Sequence, residues 1–305
     1  MTTRTVLVTG AGGFVGSSLV DGFAALGLDV VAFDEDFDEP PGPPVRCVVG
    51  ALGEALLGGL PAADVVVHAA WVTTSPEALG VTRQEYLALN LDPLRDLLHW
   101  SRSHATRAFV FLSSSGVFAP TDGAETLTDA DEPTSTSAYA EAKREGERLT
   151  WALGSEDGGP PPLVVRLGYL YGPGERARPT RTRRSLVAEW MAAAAAGRPL
   201  SVRADDPARD WTFAGDLAAA LLRVVDAGPF AGPVHLGAPA SYRDSDVASL
   251  IAGRFPGSAV TTATATADGT VKPPMAPSDI GGLRDFAWTD LPTGLDRCVE
   301  KEVPA

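Results

Sequence analysis

The chain has 305 residues, of which 45% are hydrophobic and 21% are charged, and its formal net charge at pH 7 is −14. This length can bury a substantial core, either in one large domain or in a large and a small one. The acidic balance argues against nucleic acid as a partner, because phosphate binding needs a basic surface, but it leaves room for a local basic pocket.

Other features of the sequence narrow its class. No apolar run approaches membrane-spanning length, and the N-terminus runs straight into a predicted strand without a basic segment or cleavage site. We therefore expect a cytoplasmic protein with no membrane partner. Cys47 and Cys298 lie far apart and lack metal-ligand spacing, which argues against a disulfide scaffold and predicts no metal site.

The first predicted elements are a strand and a helix joined by a glycine-rich turn. Residues 5–8 form a β-branched apolar run, and apolar residues then recur at helical spacing over 15–26, where Gly27 ends the helix. In the turn, Gly10 permits a tight bend, Gly13 lets the backbone approach a ligand, and Gly16 lets the helix pack close to the strand. The free N–H groups at the helix start favour a pyrophosphate.

A second predicted strand, at 30–33, is closed by Asp34, 24 residues after Gly10. At this distance a carboxylate takes the ribose hydroxyls of a dinucleotide. The acidic run 34–39 would repel a 2′-phosphate, and no Arg or Lys follows until Arg46, so the pattern predicts NAD rather than NADP. Apart from Asp34, we interpret the acids of this run as a solvated loop.

Strand-like and helix-like segments then alternate to about residue 172. Strands are predicted at 45–49, 64–68, 108–112 and 163–167, and helices at 86–103 and about 137–153. Helical segments of crossover length between strands imply an α/β fold with a doubly wound parallel sheet of the Rossmann type.

The pattern is less regular after residue 172. It contains a predicted helix at 186–196, a strand-like segment at 209–213, a helix after Gly215 and a Pro- and Thr-rich region at 256–277. We predict a dinucleotide-binding domain over residues 1–172 and a mainly substrate-binding lobe over 173–305, some segments of which can return to the first domain.

Two side chains four positions apart carry candidate acid–base chemistry. Tyr139 and Lys143 fall on one face of a predicted helix. A neighbouring cation favours a phenolate and lowers a tyrosine pKa from about 10, so that the tyrosine can act as acid or base. Three hydroxyls at 113–115 follow a predicted parallel strand, whose carboxyl end is where ligands bind in such sheets. At least one of these three serines is expected only to terminate the strand.

These motifs together resemble the ordered series of the extended short-chain dehydrogenase/reductase superfamily, in particular the NAD-dependent epimerase/dehydratase family. The series runs in order over about residues 5–225. Its members are TGAGGFVG, HAA at 68–70, Asn90, SSS at 113–115, YAEAK at 139–143, RLGYLYGPG at 166–174 and RDW at 209–211.

The resemblance implies roles for individual residues. Tyr139 would be the acid/base, Lys143 would bind the nicotinamide ribose and tune Tyr139, and Ser114 would bond the reacting oxygen. Asn90 would support the active-site helix, and Arg209 would reach a phosphate of a nucleotide sugar. The resemblance also assigns Phe14, Val15, Ala69, Ala70 and Asn90 to the cofactor site and Ser115 to the substrate site, and it implies a homodimer paired through the helices at 86–103 and 137–153.

The chain departs from the family pattern in three places. Ala51 stands where an adenine-contacting Asp is usual, and VFAP at 117–120 replaces a frequent valine, tyrosine, glycine sequence. Ser115 and Gly116 stand where sugar dehydratases carry an acidic pair, so dehydration is disfavoured.

The leading hypothesis is an NAD-dependent oxidoreductase or epimerase acting on a secondary alcohol or ketone of a sugar, most simply a nucleotide sugar. An alternative keeps the chemistry but takes a free sugar, a sugar acid or a natural-product alcohol. A third is a dinucleotide-sensing protein without catalysis, since fold does not fix function. Five arginines within 176–184 include Arg183 and Arg184, which are either part of a solvated loop or, with Arg209, ligands of an anionic substrate.

Overall fold

The computed structural model describes residues 4–53, 59–156, 158–263 and 271–302, and most of its strands belong to one sheet. This sheet has seven strands in the order β11-β6-β5-β4-β1-β2-β3, and every neighbouring pair is parallel. Its strands are β1 (Thr5–Thr9), β2 (Asp29–Asp34), β3 (Arg46–Val49), β4 (Val65–His68), β5 (Ala108–Ser114), β6 (Pro162–Leu167) and β11 (Val234–Leu236).

Helices cover both faces of this sheet, and others belong to a smaller lobe. In chain order the helices of the described residues are α1 (Phe14–Ala25), α2 (Pro76–Leu79), α3 (Arg83–Ser103), α4 (Ala138–Gly154), α5 (Leu186–Ala195), α6 (Leu217–Ala227), α7 (Asp244–Ala252) and α8 (Leu291–Glu302). Apolar residues of α1 and α6 form one core with one face of the sheet, while those of α3 and α4 pack on the other face. The predicted doubly wound α/β fold is therefore confirmed.

Buried strands explain why the prediction from apolar runs worked. All four residues of β4 are buried, as are the central residues of β1, β2, β5 and β6, because helices cover both faces. A strand of this kind appears in sequence as a continuous β-branched run. The ends of α3 and α4 differ from the predicted ones by at most three residues, since capping by Thr82 and Ser137 sets where the helices begin.

A second, smaller core is formed mostly by residues beyond 172. It is built on α5, α7 and α8 and on short strand pairs: β8 (Leu200–Arg203) with β13 (Val260–Ala263), β9 (Ala208–Arg209) with β12 (Tyr242–Arg243), and β7 (Tyr169–Tyr171) with β10 (Trp211–Phe213). The helix α6 and the strand β11 belong instead to the core of the large sheet. The boundary at residue 172 stays a prediction.

Two predicted segments of this lobe differ in the structure. The segment 209–213 was expected to be one strand, but it forms the end of β9 and all of β10, which pair with different partners on either side of Asp210. The Pro- and Thr-rich region 256–277 contains β13, whereas its residues 264–270 lie outside the described part. Within the described ranges, no helix is both long and apolar enough to cross a membrane.

Candidate functional site

The glycine-rich turn brings the backbone of three segments into close contact. Gly10 has a φ of +72°, and a Cβ there would lie 2.4 Å from the backbone nitrogen of Ala70. A Cβ on Gly16 would lie 1.9 Å from the carbonyl oxygen of Gly10. Gly13 is the N-cap of α1 and offers no side-chain cap, and the first turn carries no acidic residue. The helix N-terminus is thus open to an anion, as expected for a dinucleotide site.

Asp34 lies at the carboxyl end of β2, beside this turn. One of its carboxylate oxygens accepts a hydrogen bond from the Gly12 N–H at 2.8 Å, and the other accepts from the Glu35 N–H at 2.7 Å. Along the chain no Arg or Lys follows until Arg46, but the fold brings Arg178 to this place, where it donates to the Asp36 carbonyl at 2.8 Å. The prediction that no arginine lies near this loop was therefore wrong in three dimensions, although Asp34 does lie beside the glycine turn, where the sequence placed it.

We expect Asp34→Ala to narrow the preference for NAD over NADP, because the substitution removes a carboxylate that repels a 2′-phosphate. Titration of each cofactor into parent, Asp34→Ala and Asp34→Asn proteins measures this. The Asn variant keeps an acceptor for the Gly12 N–H, so it separates loss of charge from loss of the turn's hydrogen bond. Equal affinity of the parent for both cofactors would contradict the role of Asp34.

Lys143 lies on α4 with its ammonium group buried under the sheet end. Its Nζ donates to the Leu112 carbonyl at 2.7 Å and lies 4.0 Å from the ring centroid of Trp71 and 5.0 Å from that of Phe111. Burial lowers the pKa of Lys143 to about 7, and the Glu147 carboxylate opposes this shift. A cation with so few polar partners is available to a ligand in the cavity.

Tyr139 stands one turn before Lys143 on the same helix. Burial raises the pKa of its phenol, while a hydrogen bond with the Ser114 side chain and the charge of Arg181 act in the opposite direction. Lys143 Nζ is 6.0 Å from the Tyr139 ring centroid. The net shift of the Tyr139 pKa is upward, opposite to the lowering expected from Lys143, because burial dominates, and the phenol is protonated at neutral pH.

The serines at 113–115, where β5 ends, have different environments. Ser113 is buried and donates to the Glu147 carboxylate at 2.5 Å. The Glu147 carboxylate also accepts hydrogen bonds from Nε and Nη2 of the buried Arg166 at 2.9 and 2.8 Å. The oxygen of Ser114 accepts from the Gly116 N–H at 3.0 Å and reaches Tyr139. Ser113 is thus the serine with a purely structural partner, and Ser114 is the one beside the phenol.

Two residues that the sequence did not assign to the site, Gly116 and Trp71, shape it. A Cβ on Gly116 would lie 2.8 Å from a ring carbon of Tyr139, so only glycine lets the phenol lie this close to the strand end. Trp71 covers the Lys143 ammonium. The position of Gly116 two residues after Ser114 was a usable signal, whereas nothing in the sequence pairs Trp71 with Lys143.

Asn90 fastens α3 to the segment after β4. Its side-chain oxygen accepts from the Val72 N–H at 2.8 Å, and its amide donates to the Tyr86 carbonyl at 3.0 Å. Tyr86 donates in turn to the Val72 carbonyl at 2.6 Å. The family resemblance implied support of the active-site helix, but in the structure Asn90 holds the chain that leads to Trp71.

These groups line one cavity of about 1380 Å³. The structure brings every residue predicted for the site to its wall. They are Gly10, Gly13, Phe14, Val15, Gly16, Asp34, Ala69, Ala70, Asn90, Ser114, Ser115, Tyr139, Lys143, Arg183, Arg184 and Arg209.

The end of the cavity formed by the smaller lobe is basic. Arg183 and Arg184 line it, and neither side chain has a hydrogen bond or ion pair to another residue in the described ranges. Arg209 differs, because its Nε and Nη2 donate to the Asp244 carboxylate at 2.7 and 2.8 Å. The Arg209 guanidinium carbon also lies 4.6 Å from the Tyr169 ring centroid. Two of its nitrogens are therefore already occupied.

The chain is similar to proteins named as reductases and epimerases of nucleotide sugars. It is 29% identical over 248 residues to a dTDP-4-dehydro-6-deoxy-D-allose reductase from Streptomyces bikiniensis, covering 74% of both chains. It is 28% identical over 227 residues to the uncharacterized UDP-glucose epimerase YtcB of Bacillus subtilis strain 168, covering 69% of both. The solved structure of MoeE5 in complex with UDP-glucuronic acid and NAD superposes with a TM-score of 0.77 at 25% identity over 98% of each chain.

The family match agrees with the geometry of the turn, Asp34 and the Ser114, Tyr139 and Lys143 group. Residues 6–236 match the NAD dependent epimerase/dehydratase family, a range that contains all of these residues and both cores' strands up to β11. Its members are enzymes that use NAD. The chain therefore belongs to the NAD dependent epimerase/dehydratase family of enzymes.

Proposed function

We propose that the protein oxidises or reduces a secondary alcohol carbon of a sugar carried on a nucleoside diphosphate, as an epimerase or a ketoreductase. The observation that carries this is the position of Ser114, Tyr139 and Lys143 on the wall of one cavity that also includes the dinucleotide turn and a basic end. Its volume of about 1380 Å³ exceeds the roughly 300–1,000 Å³ of a site for one drug-sized ligand. The named relatives act on, or are named for, nucleotide sugars, which supports this substrate class.

The residues of the turn fit the cofactor. The glycine turn and the uncapped start of α1 would hold the diphosphate of NAD, Asp34 would hold the adenosine ribose, and Lys143 would hold the nicotinamide ribose. NAD supplies a hydride acceptor, and its reduced form supplies a hydride donor.

Tyr139 would move the proton of the reacting group. Because its pKa is raised, the resting phenol is a proton donor and suits the reduction of a ketone. In the oxidation direction a phenolate is needed, and the Ser114 hydrogen bond and the charge of Arg181 favour this form. Ser114 would bond the substrate oxygen beside Tyr139, which holds that oxygen in reach of the phenol.

The same three side chains serve epimerisation and net redox. If the bound ketone rotates and is then reduced on its other face, the configuration of the carbon is inverted. If the ketone is released instead, the net reaction is an oxidation. Elimination of water needs a further acid and base near the sugar. Gly116 occupies the position after Ser115 and packs against Tyr139, which disfavours dehydration.

A panel of nucleotide sugars tests the proposal. Protein loaded with NAD is incubated with UDP- and dTDP-hexoses, with the matching free sugars and sugar acids as comparison, and products are separated while NADH absorbance is followed. Conversion of a nucleotide sugar without net NADH indicates epimerisation, and conversion with NADH change indicates oxidation or reduction. Turnover only of free sugars or simple alcohols would favour the alternative substrate class, and no turnover of any member would favour a sensing protein.

We expect neutralising Arg183 and Arg184 together to raise the Michaelis constant for an anionic substrate, with cofactor affinity unchanged. Arginine binds diphosphate or carboxylate through paired charged hydrogen bonds, and these two guanidinium groups are otherwise unpartnered in the described part of the chain. The increase should be larger at low salt than at high salt. Steady-state kinetics of Arg183→Gln/Arg184→Gln at two ionic strengths measures it.

Arg198→Gln is the matched control for this prediction. It removes the same charge from an exposed position of the same lobe, after α5 and outside the cavity wall. A Michaelis constant that stays at the parent value in the double variant would show that the pair does not bind the substrate and would remove this support for a nucleotide sugar.

We also propose a homodimer that pairs through α3 and α4. These helices pack on each other. Sedimentation of the parent protein tests this proposal. A monomer in the parent protein would reject it.

A further inference from the structure

The segment 175–185, which we name the arginine segment, has a fixed shape of its own. At its base the buried Glu175 carboxylate accepts from the Ser185 N–H and hydroxyl at 2.8 and 2.5 Å and pairs with Arg181 at 2.5 Å. At its tip the backbones of Arg178 and Arg181 exchange two hydrogen bonds of 2.9 Å. The segment is therefore a built loop and not a solvated connector.

The arginine segment is fastened to the chain that follows β4. The Thr180 carbonyl accepts from the N–H groups of Thr73 and Thr74 at 2.7 and 3.1 Å. The Thr74 hydroxyl donates to the Pro179 carbonyl at 2.8 Å. Because β4 is the neighbour of β1 in the sheet, these contacts bring the tip of the segment to the side where the glycine turn lies.

Two arginines of the segment meet the acidic loop after β2. Arg176 pairs with Glu39 at 2.9 Å, and Arg178 pairs with Asp36 at 3.6 Å besides donating to its carbonyl. The Arg178 Nη1 lies 2.7 Å from where a Cβ of Gly12 would be. The segment thus reaches across the cavity to the turn that holds a dinucleotide, and two acids of the loop are not merely solvated.

Arg181 lies over the start of α1. Its guanidinium carbon is 5.2 Å from the ring centroid of Phe14, the first residue of that helix. Its Nη1 is buried and has no hydrogen-bond partner among the described residues. An orphaned guanidinium nitrogen beside an uncapped helix N-terminus fits a phosphate oxygen, to which Nη1 can donate while Nη2 stays paired with Glu175.

We propose that the arginine segment is a clasp for NAD. Arg181 binds the diphosphate together with the N–H groups of α1, and the pairs of Arg176 and Arg178 with the acidic loop close the cleft over the adenosine half. Cofactor release then requires the clasp to open, so that NAD stays bound through purification and between turnovers. This inference rests on the NAD cofactor and not on the identity of the sugar substrate.

The test measures cofactor retention without any substrate. NAD content is determined after gel filtration and acid release, and the dissociation rate is followed as the loss of bound-NADH fluorescence when excess NAD is added. We expect the parent to retain NAD and Arg181→Gln to bind it at least about tenfold more weakly, because a charged phosphate ligand is lost. Arg181→Lys keeps the charge but loses the fork, and we expect an intermediate affinity.

A charge swap tests the closing contact. Glu39 and Arg176 are exposed, so Glu39→Arg and Arg176→Glu are compatible with folding, and each should speed NADH release several-fold at low salt. The double variant, with the pair reversed, should return to within about twofold of the parent. Arg198→Gln is the control, for which we expect parental retention.

Other outcomes would overturn the clasp. One is an Arg181→Gln protein that binds NAD as tightly as the parent. Another is a parental rate of NADH release in Glu39→Arg and Arg176→Glu, and a third is a double variant that releases NADH no more slowly than either single variant. An Arg181→Gln effect confined to the Michaelis constant of a sugar nucleotide would assign Arg181 to the substrate. Retention data are read independently of turnover, so failure of the proposed sugar chemistry leaves this test intact.

Discussion

Replacing Tyr139 by Phe is expected to lower turnover by on the order of 10²-fold or more while NAD binding stays nearly intact. The phenol hydroxyl lies beside Ser114, and its raised pKa makes it a donor at neutral pH. Phenylalanine keeps the ring that packs against Gly116 but has no proton to give. Steady-state turnover and cofactor titration of the purified variant measure the two effects.

Tyr171→Phe is the matched control for this substitution. Tyr171 is a buried phenol in the smaller core and lies outside the cavity wall, so its loss should leave turnover within a few-fold of the parent. Turnover of Tyr139→Phe within a few-fold of the parent would reject Tyr139 as the acid/base. A second outcome, loss of NAD binding together with turnover, would indicate that the hydroxyl has a positioning role instead.

Replacing Lys143 by Met is expected to lower turnover by on the order of 10²-fold and also to weaken NAD binding. The Lys143 ammonium lies at the cavity wall, where it donates to the Leu112 carbonyl and faces the Trp71 ring. Methionine fills a similar volume against the two aromatic rings but carries neither charge nor donor. Weaker NAD binding separates this variant from Tyr139→Phe, in which only the proton transfer is lost.

The lowered pKa of Lys143 gives a second readout in the cofactor-free protein. The folded pKa is about 7, against 10.5 for an unperturbed lysine, so between these values the unfolded chain binds more protons than the folded one. Stability therefore rises with pH across this window and is lost as the pH falls toward 7, with a slope of up to about 1.4 kcal/mol per pH unit for one proton.

Urea unfolding of parent and Lys143→Met between pH 7 and 8.5 tests this linkage. The difference between the two proteins isolates Lys143, because Cys47 and the other groups are common to both. We expect the free energy of unfolding of the parent to rise with pH relative to that of the variant. Parallel curves would mean that Lys143 stays charged in the folded protein and that its burial is compensated by another group.

The local chemistry of the sequence determined the sheet and the cofactor turn. Apolar runs rich in β-branched residues at 5–8 and within 64–68 are typical of strands in a sheet covered on both faces, and glycines at 10, 13 and 16 permit a turn that side chains would block. The helical spacing of Tyr139 and Lys143 sets them one turn apart on α4. These features depend mainly on neighbours within a few residues, so a pattern along the chain suffices to predict them, whereas the close contact of Gly10 with Ala70 appears only in the fold.

Tertiary structure alone decided the electrostatics of the site and the contacts of the arginine segment. The pKa values of Tyr139 and Lys143 follow from burial against Trp71 and the end of β5, which no spacing reveals. Arg178 meets Asp36 across a separation of 142 residues, and Arg209 is paired with Asp244 across 35. Such contacts depend on how the two cores close on each other, because desolvation and charge pairing act through space and not along the sequence.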